Sequence, residues 1–129
     1  MAIVTATTGR TNYSTAIQTR THSLVADEPR ESGGLDAGPT PSELLIAALA
    51  SCTSITLRMY ADRKSWAIDA VHVSVTSTRA PDKSLCVERV LTFDGVLTDE
   101  QKSRLADIAE RTPVTLALKT GVAIHTRLG

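Results

Sequence analysis

Residues 40–62 constrain this chain more than any other segment. Thr40-Pro41-Ser42-Glu43 spells a capping box, with Thr40 as N-cap, Pro41 at the first helical position and Glu43 at the third. The helix it opens is predicted to run from Ser42 to about Asp62. Leu44, Leu45, Ile46, Ala47, Ala48, Leu49 and Ala50, then Cys52, Ile55, Leu57, Met59 and Tyr60, put apolar side chains on every face. A helix apolar all round is buried on all sides. The chain has 129 residues, which predicts one domain over 1–129. One copy of that size hardly covers such a helix, so the expectation is a homodimer with the helix near its interface. The apolar run Leu44 to Leu49 is too short to cross a bilayer, so no membrane partner is expected.

Charge narrows the class further. Lysine plus arginine number 14, aspartate plus glutamate number 14, and the formal net charge is zero. Nucleic-acid binders carry a basic excess that this chain lacks, so no nucleic-acid partner is expected. One Trp, one Phe and two Tyr leave little surface on which bases or sugars could stack. The opening Met1-Ala2-Ile3-Val4-Thr5 runs straight into β-branched residues without a basic and apolar leader. The expected location is therefore the cytoplasm, where Cys52 and Cys86 are kept reduced.

Around the helix the pattern alternates between strands and helices. Ile3 to Thr8, Tyr13 to Thr19 and His22 to Ala26 read as strands. Asp27 to Pro41 holds three Gly and three Pro and reads as a loop. Its length exceeds the usual connection, and such loops are more often functional or interface-forming. Val71, Val73 and Val75 alternate with His72, Ser74 and Thr76; Val87, Arg89, Leu91 and Phe93 share one side of a second strand, and the pair reads as a hairpin. Thr98-Asp99-Glu100-Gln101 is a second capping box, opening an amphipathic helix that ends near Arg111. A short helical piece begins at Thr112-Pro113-Val114 and stops at Gly121. Val122, Ile124, Thr126 and Leu128 read as a final strand. The fold class expected is α+β.

The chemistry-bearing motifs are few. There is no phosphate loop, no GxGxxG, CxxC or HExxH, and no calcium loop. His22, His72 and His125 are scattered over predicted strands and read as polar strand positions, so no metal is expected. No Ser sits in a nucleophile elbow. What remains is thiol chemistry. Cys52 lies about twelve residues into its helix, on the order of 18 Å from the N-terminus. That helix's dipole acts only in the end turns, so a thiolate at Cys52 needs a positive side chain from elsewhere. The competing reading is an inert, packed thiol on an apolar helix.

The stretch Asp27 to Tyr60, DEPRESGGLDAGPTPSELLIAALASCTSITLRMY, resembles the OsmC/Ohr family of osmotically induced and organic hydroperoxide resistance proteins. Gly33 to Cys52 is its most specific part. The later DEQKSRLADIAER, TPVT and final apolar alternation are similar to the same family. The resemblance implies an OsmC-like fold: antiparallel curved sheets around a long buried central helix and a second helix, in an intertwined homodimer. It implies a thiol peroxidase without metal or other cofactor. A peroxidatic cysteine becomes a sulfenic acid, a second cysteine resolves it, and an external thiol reductant restores it.

Carried over residue by residue, Cys52 matches the peroxidatic cysteine. Arg10, in Gly9-Arg10, matches the thiolate-stabilising arginine of the hydroperoxide-resistance branch. Arg30 competes for that role, because another branch places its arginine in the long loop. Glu43 matches the catalytic glutamate one position late, since active branches read Asn-Pro-Glu and this chain reads Pro41-Ser42-Glu43. The second cysteine is absent: Thr112-Pro113-Val114-Thr115 stands where relatives carry Cys-Pro or Cys-Pro-Val-His, and Cys86 matches no family cysteine. The resemblance therefore implies a one-Cys organic hydroperoxide reductase. The alternative is a catalytically inactive OsmC-fold dimer that binds a small apolar ligand or serves a structural role.

Overall fold

The computed structural model describes all residues, Met1–Gly129. The chain divides into two compact units, Met1–Ala47 and Ala48–Gly129.

In the first unit, β1 (Thr5–Thr8), β2 (Thr15–Thr19) and β3 (His22–Ala26) form an antiparallel sheet in the order β1-β2-β3. The β-branched runs make these strands, but pairing trims them. Thr5 lies opposite Gln18, and β2 turns into β3 just after Thr19, so the ladder ends at Thr5 and Ile3 lies beyond the end of β2. Thr8 pairs with Thr15, which leaves Gly9 to Ser14 as the connection.

The loop after β3 is organised by Asp27, which is buried at 2% exposure. Its Oδ1 accepts hydrogen bonds from the N–H groups of Tyr13 (3.0 Å) and Glu28 (2.7 Å). Its Oδ2 accepts from those of Leu35 (3.3 Å) and Ala37 (3.1 Å). One carboxylate thus ties the entry to β2 to both arms of the loop. The backbone packs so closely here that a Cβ at Gly34 would collide with the Glu28 carbonyl, and one at Gly38 with that of Val25. A single 3-10 turn, Arg30–Ser32, lies within the loop and ends at Gly33.

Helix α1 (Pro41–Arg63) starts where its capping box places it. The Thr40 N–H donates to Glu43 Oε1 (2.9 Å), and the Glu43 N–H donates to Thr40 Oγ1 (3.1 Å). By length and composition this helix is apolar enough to cross a membrane, a property that the shorter run Leu44 to Leu49 understates. Its buried residues, however, form one stripe of a core helix: Leu49, Thr53, Leu57 and Ala61, each four residues from the last. The expectation of burial on all sides is corrected within a single copy, where Leu45, Ile55 and Met59 are exposed.

In the second unit, β4 (Ile68–Arg79) and β5 (Leu85–Gly95) form the expected antiparallel hairpin, with Val71 opposite Phe93 and Val73 opposite Leu91. Helix α2 (Asp99–Ala109) opens on a capping box between Thr98 and Gln101, and α3 (Pro113–Thr120) follows. Leu57, Ala61, Ile68, Leu105 and Ala109 form the core, with Trp66, Leu91 and Phe93 packed against it. The final strand expected from Val122 to Leu128 is not formed. Alternation supplies strand propensity, but a strand needs an edge to bond, and no strand of this chain pairs with that segment.

Candidate functional site

Cys52 is half-buried on α1 as a free thiol. The hydroxyls around it are turned to the helix backbone. Ser51 donates to the Ala48 carbonyl (3.2 Å), Thr53 to that of Leu49 (2.7 Å) and Ser54 to that of Ser51 (3.2 Å). Thr53 lies on the buried stripe, and its partly exposed neighbour Cys52 does not. Cys86 is a free, exposed thiol on β5, opposite Thr78.

The other residues of interest fall on different elements. Arg10 is exposed in the connection between β1 and β2. Arg30 is exposed at the start of the 3-10 turn. Glu43 is exposed, and its carboxylate is engaged in the α1 cap. The hydrogen bond from the Thr40 backbone, then that from its side chain, holds the Glu43 pKa below its ordinary 4.5.

Thr112 and Thr115 are both buried and bonded to each other. Their Oγ1 atoms are 2.6 Å apart, and Thr112 Oγ1 also accepts from the Thr115 N–H as the N-cap of α3. Thr115 donates onward to the Ala109 carbonyl at the end of α2 (3.2 Å). This pair joins a largely enclosed cation on β5, one that sequence alternation assigns only to a strand face. Arg89 reaches inward from β5 with its side chain 13% exposed. Its Nη1 donates to Thr53 Oγ1 (3.0 Å) and Thr115 Oγ1 (2.8 Å), and its Nη2 donates to the Ala109 carbonyl (2.9 Å). One guanidinium thereby fastens α1, the end of α2 and the start of α3 to β5. The available signal was an arginine among Val87, Leu91 and Phe93 on one side of an alternating strand. A cation there needs buried partners.

Beside Arg89 opens a cleft of about 350 Å³, lined by Leu49, Val87, Arg89, Glu110, Thr115, Leu118 and Lys119. Glu110 Oε2 lies 2.7 Å from Lys119 Nζ and 3.5 Å from Arg89 Nη2. The Lys119 hydrogen bond, aided by the charges of Lys119 and Arg89, holds the Glu110 carboxyl below its ordinary 4.5. Among the side chains present, no group of three or more His, Cys, Asp or Glu could hold a metal ion.

These elements define an α+β protein of the OsmC fold, built on small antiparallel sheets and a long thiol-bearing helix. The chain belongs to the OsmC-like family: the family model described as "OsmC-like protein" matches residues 33–127. Glu43, Cys52, Thr112 and Thr115 lie inside the matched segment, and Arg10 and Arg30 precede it. Among solved structures, an OsmC-like protein from Mycoplasma pneumoniae superposes with a TM-score of 0.80 at 19% identity, covering 92% of this chain and 87% of that one. An organic hydroperoxide resistance protein from Legionella pneumophila, also described as a predicted redox protein, gives 0.67 at 22%, covering 92% and 89%. The organic hydroperoxide resistance protein OhrB of Bacillus subtilis gives 0.62 at 23%, covering 92% and 90%. A comparison with curated proteins returns no match.

Proposed function

We propose that this chain is a one-cysteine thiol peroxidase that reduces organic hydroperoxides in oxidative-stress defence. The observation that carries the reading is a free, half-buried Cys52 on the long helix of an OsmC-like protein. Relatives of the same fold are described as organic hydroperoxide resistance proteins. In the first step the Cys52 thiolate attacks the distal peroxide oxygen. The O–O bond breaks, the alkoxide takes a proton and leaves as alcohol, and Cys52 becomes a sulfenic acid. An external thiol then displaces water to give a mixed disulfide. A second thiol releases Cys52 and leaves as the oxidised disulfide. Resolution from outside is the reading favoured by the buried Thr112, which stands in the second cysteine's place and forms no disulfide.

Arg10 is proposed as the thiolate's activator, with Arg30 as its competitor. Glu43 is the weaker candidate, since its cap already accounts for its position. The active unit is proposed to be a cytoplasmic homodimer. What supports a dimer is the apolar surface of a single copy: Ile55 and Met59 on α1, Leu116 on α3, and Val122, Ile124 and Leu128 in the tail are all exposed.

The test is consumption of cumene hydroperoxide with a dithiol present. Cys52→Ser is expected to abolish the protein-dependent rate and Cys86→Ser to leave it intact. An undiminished rate in Cys52→Ser sinks the assignment. The second reading, a catalytically silent OsmC-fold dimer, is favoured by Thr112 and Thr115 being knitted into a buried hydroxyl network. A Cys52 that resists both alkylation at neutral pH and oxidation by hydroperoxide selects it.

A further inference from the structure

The cleft beside Arg89 is not used by the chemistry proposed for Cys52, and it carries an unbalanced charge. Two cations, Arg89 and Lys119, line it with a single carboxylate, Glu110. Arg89 is the least exposed of the three, its side chain 13% exposed, and partial burial makes an unshared charge costly. Its guanidinium has five N–H donors. Thr53, Thr115 and the Ala109 carbonyl take three of them. The Glu110 oxygen, at 3.5 Å, is too far for a strong hydrogen bond and is bound more closely by Lys119. The remaining wall is apolar, made by Leu49, Val87 and Leu118.

We infer that this cleft is a binding site for a small amphipathic monocarboxylate. A ligand carboxylate accepting from Lys119 Nζ and the free donors of Arg89 gives the site two anions for two cations. Its hydrocarbon part lies against Leu49, Val87 and Leu118. A monoanion matches the single unbalanced charge, whereas a phosphate dianion overshoots it. The volume of about 350 Å³ holds about a dozen heavy atoms at roughly 30 Å³ each, room enough for the ten heavy atoms of an eight-carbon acid. The site requires no redox activity of Cys52, so it stands or falls apart from the peroxidase reading.

The test is titration of the isotope-labelled full chain with sodium octanoate at constant ionic strength, followed by amide NMR. Saturable shifts are expected at Val87, Thr115, Leu118 and Lys119. Lys119 lies exposed in the last turn of α3, so Lys119→Met is expected to keep the rest of the spectrum and weaken octanoate about tenfold, the equivalent of one charge-assisted hydrogen bond. Leu118→Glu is expected to abolish the shifts, and 1-octanol to produce none that saturate at these residues. The inference is overturned by octanoate shifts that fail to saturate, by octanol binding equally well, or by Lys119→Met binding octanoate as tightly as the parent.

Discussion

Asp27 shows how much one side chain can organise. Burial raises its pKa, but the N–H groups of Glu28, Ala37, Tyr13 and Leu35 together outweigh that and hold it below the ordinary 3.8. A carboxyl with a lowered folded pKa contributes stability that is fully present above its unfolded value and is lost as pH falls through the folded one. Asp27 is therefore expected to stabilise the protein at neutral pH and to lose that contribution below about 3.8. Asp27→Ala leaves four backbone donors without their acceptor, and a fall in Tm on the order of 10 °C is expected by calorimetry at pH 7. The gap between variant and parent should narrow in acid. An equal gap at pH 7 and at pH 3 contradicts the account. Glu43 poses a sharper question at the same scale. Glu43→Gln keeps an acceptor for the Thr40 N–H and removes the charge. If the cap is its whole role, stability and peroxidase rate both survive. A normal Tm with a collapsed rate places the carboxylate in the chemistry instead.

At the scale of elements, capping boxes and turn residues were the most legible signals. Thr40 and Thr98 start α1 and α2 where their sequences say, because reciprocal side-chain bonds are local and owe nothing to the rest of the chain. The hairpin β4–β5 was legible for the same reason, as period-two alternation on both sides of a short turn. Partners distant in sequence were not legible. The trimmed starts of β1 and β2, the absent strand at Val122 to Leu128 and the convergence of Arg89, Thr53 and Thr115 all depend on which backbone or hydroxyl lies opposite. Composition carries no record of that. For α1 the amino acids showed an all-round apolar helix, and a single copy buries only its Leu49-Thr53-Leu57-Ala61 stripe. Leu57 is fully buried, so Leu57→Ala is expected to cost about 2–5 kcal/mol in chemical denaturation. Ile55→Ala, on the exposed side, should cost a single copy less than about 0.5 kcal/mol. If Ile55→Ala matches Leu57→Ala in dilute protein, the stripe is misassigned.

For the whole molecule, family and fold were legible from Gly33 to Cys52, and the matched segment 33–127 agrees with that reading. For the candidate site, Cys52 could be named from its motif, while Arg10 and Arg30 as its proposed activators rest on the resemblance alone. The proposed homodimer accounts for the apolar surface that one copy leaves open. Replacing Ile55 and Met59 together by Lys is expected to convert a dimer into monomers in sedimentation, with the helical signal retained. An unchanged sedimentation coefficient contradicts an interface at α1. The proposed function turns on the reactivity of one sulfur, which mass spectrometry reads out. The protein is treated with one equivalent of cumene hydroperoxide without thiol, trapped with a sulfenic-acid reagent and digested. A trapped sulfenic acid is expected on the peptide containing Cys52, with no disulfide to Cys86. A Cys52 that stays a free thiol while the hydroperoxide persists would contradict it.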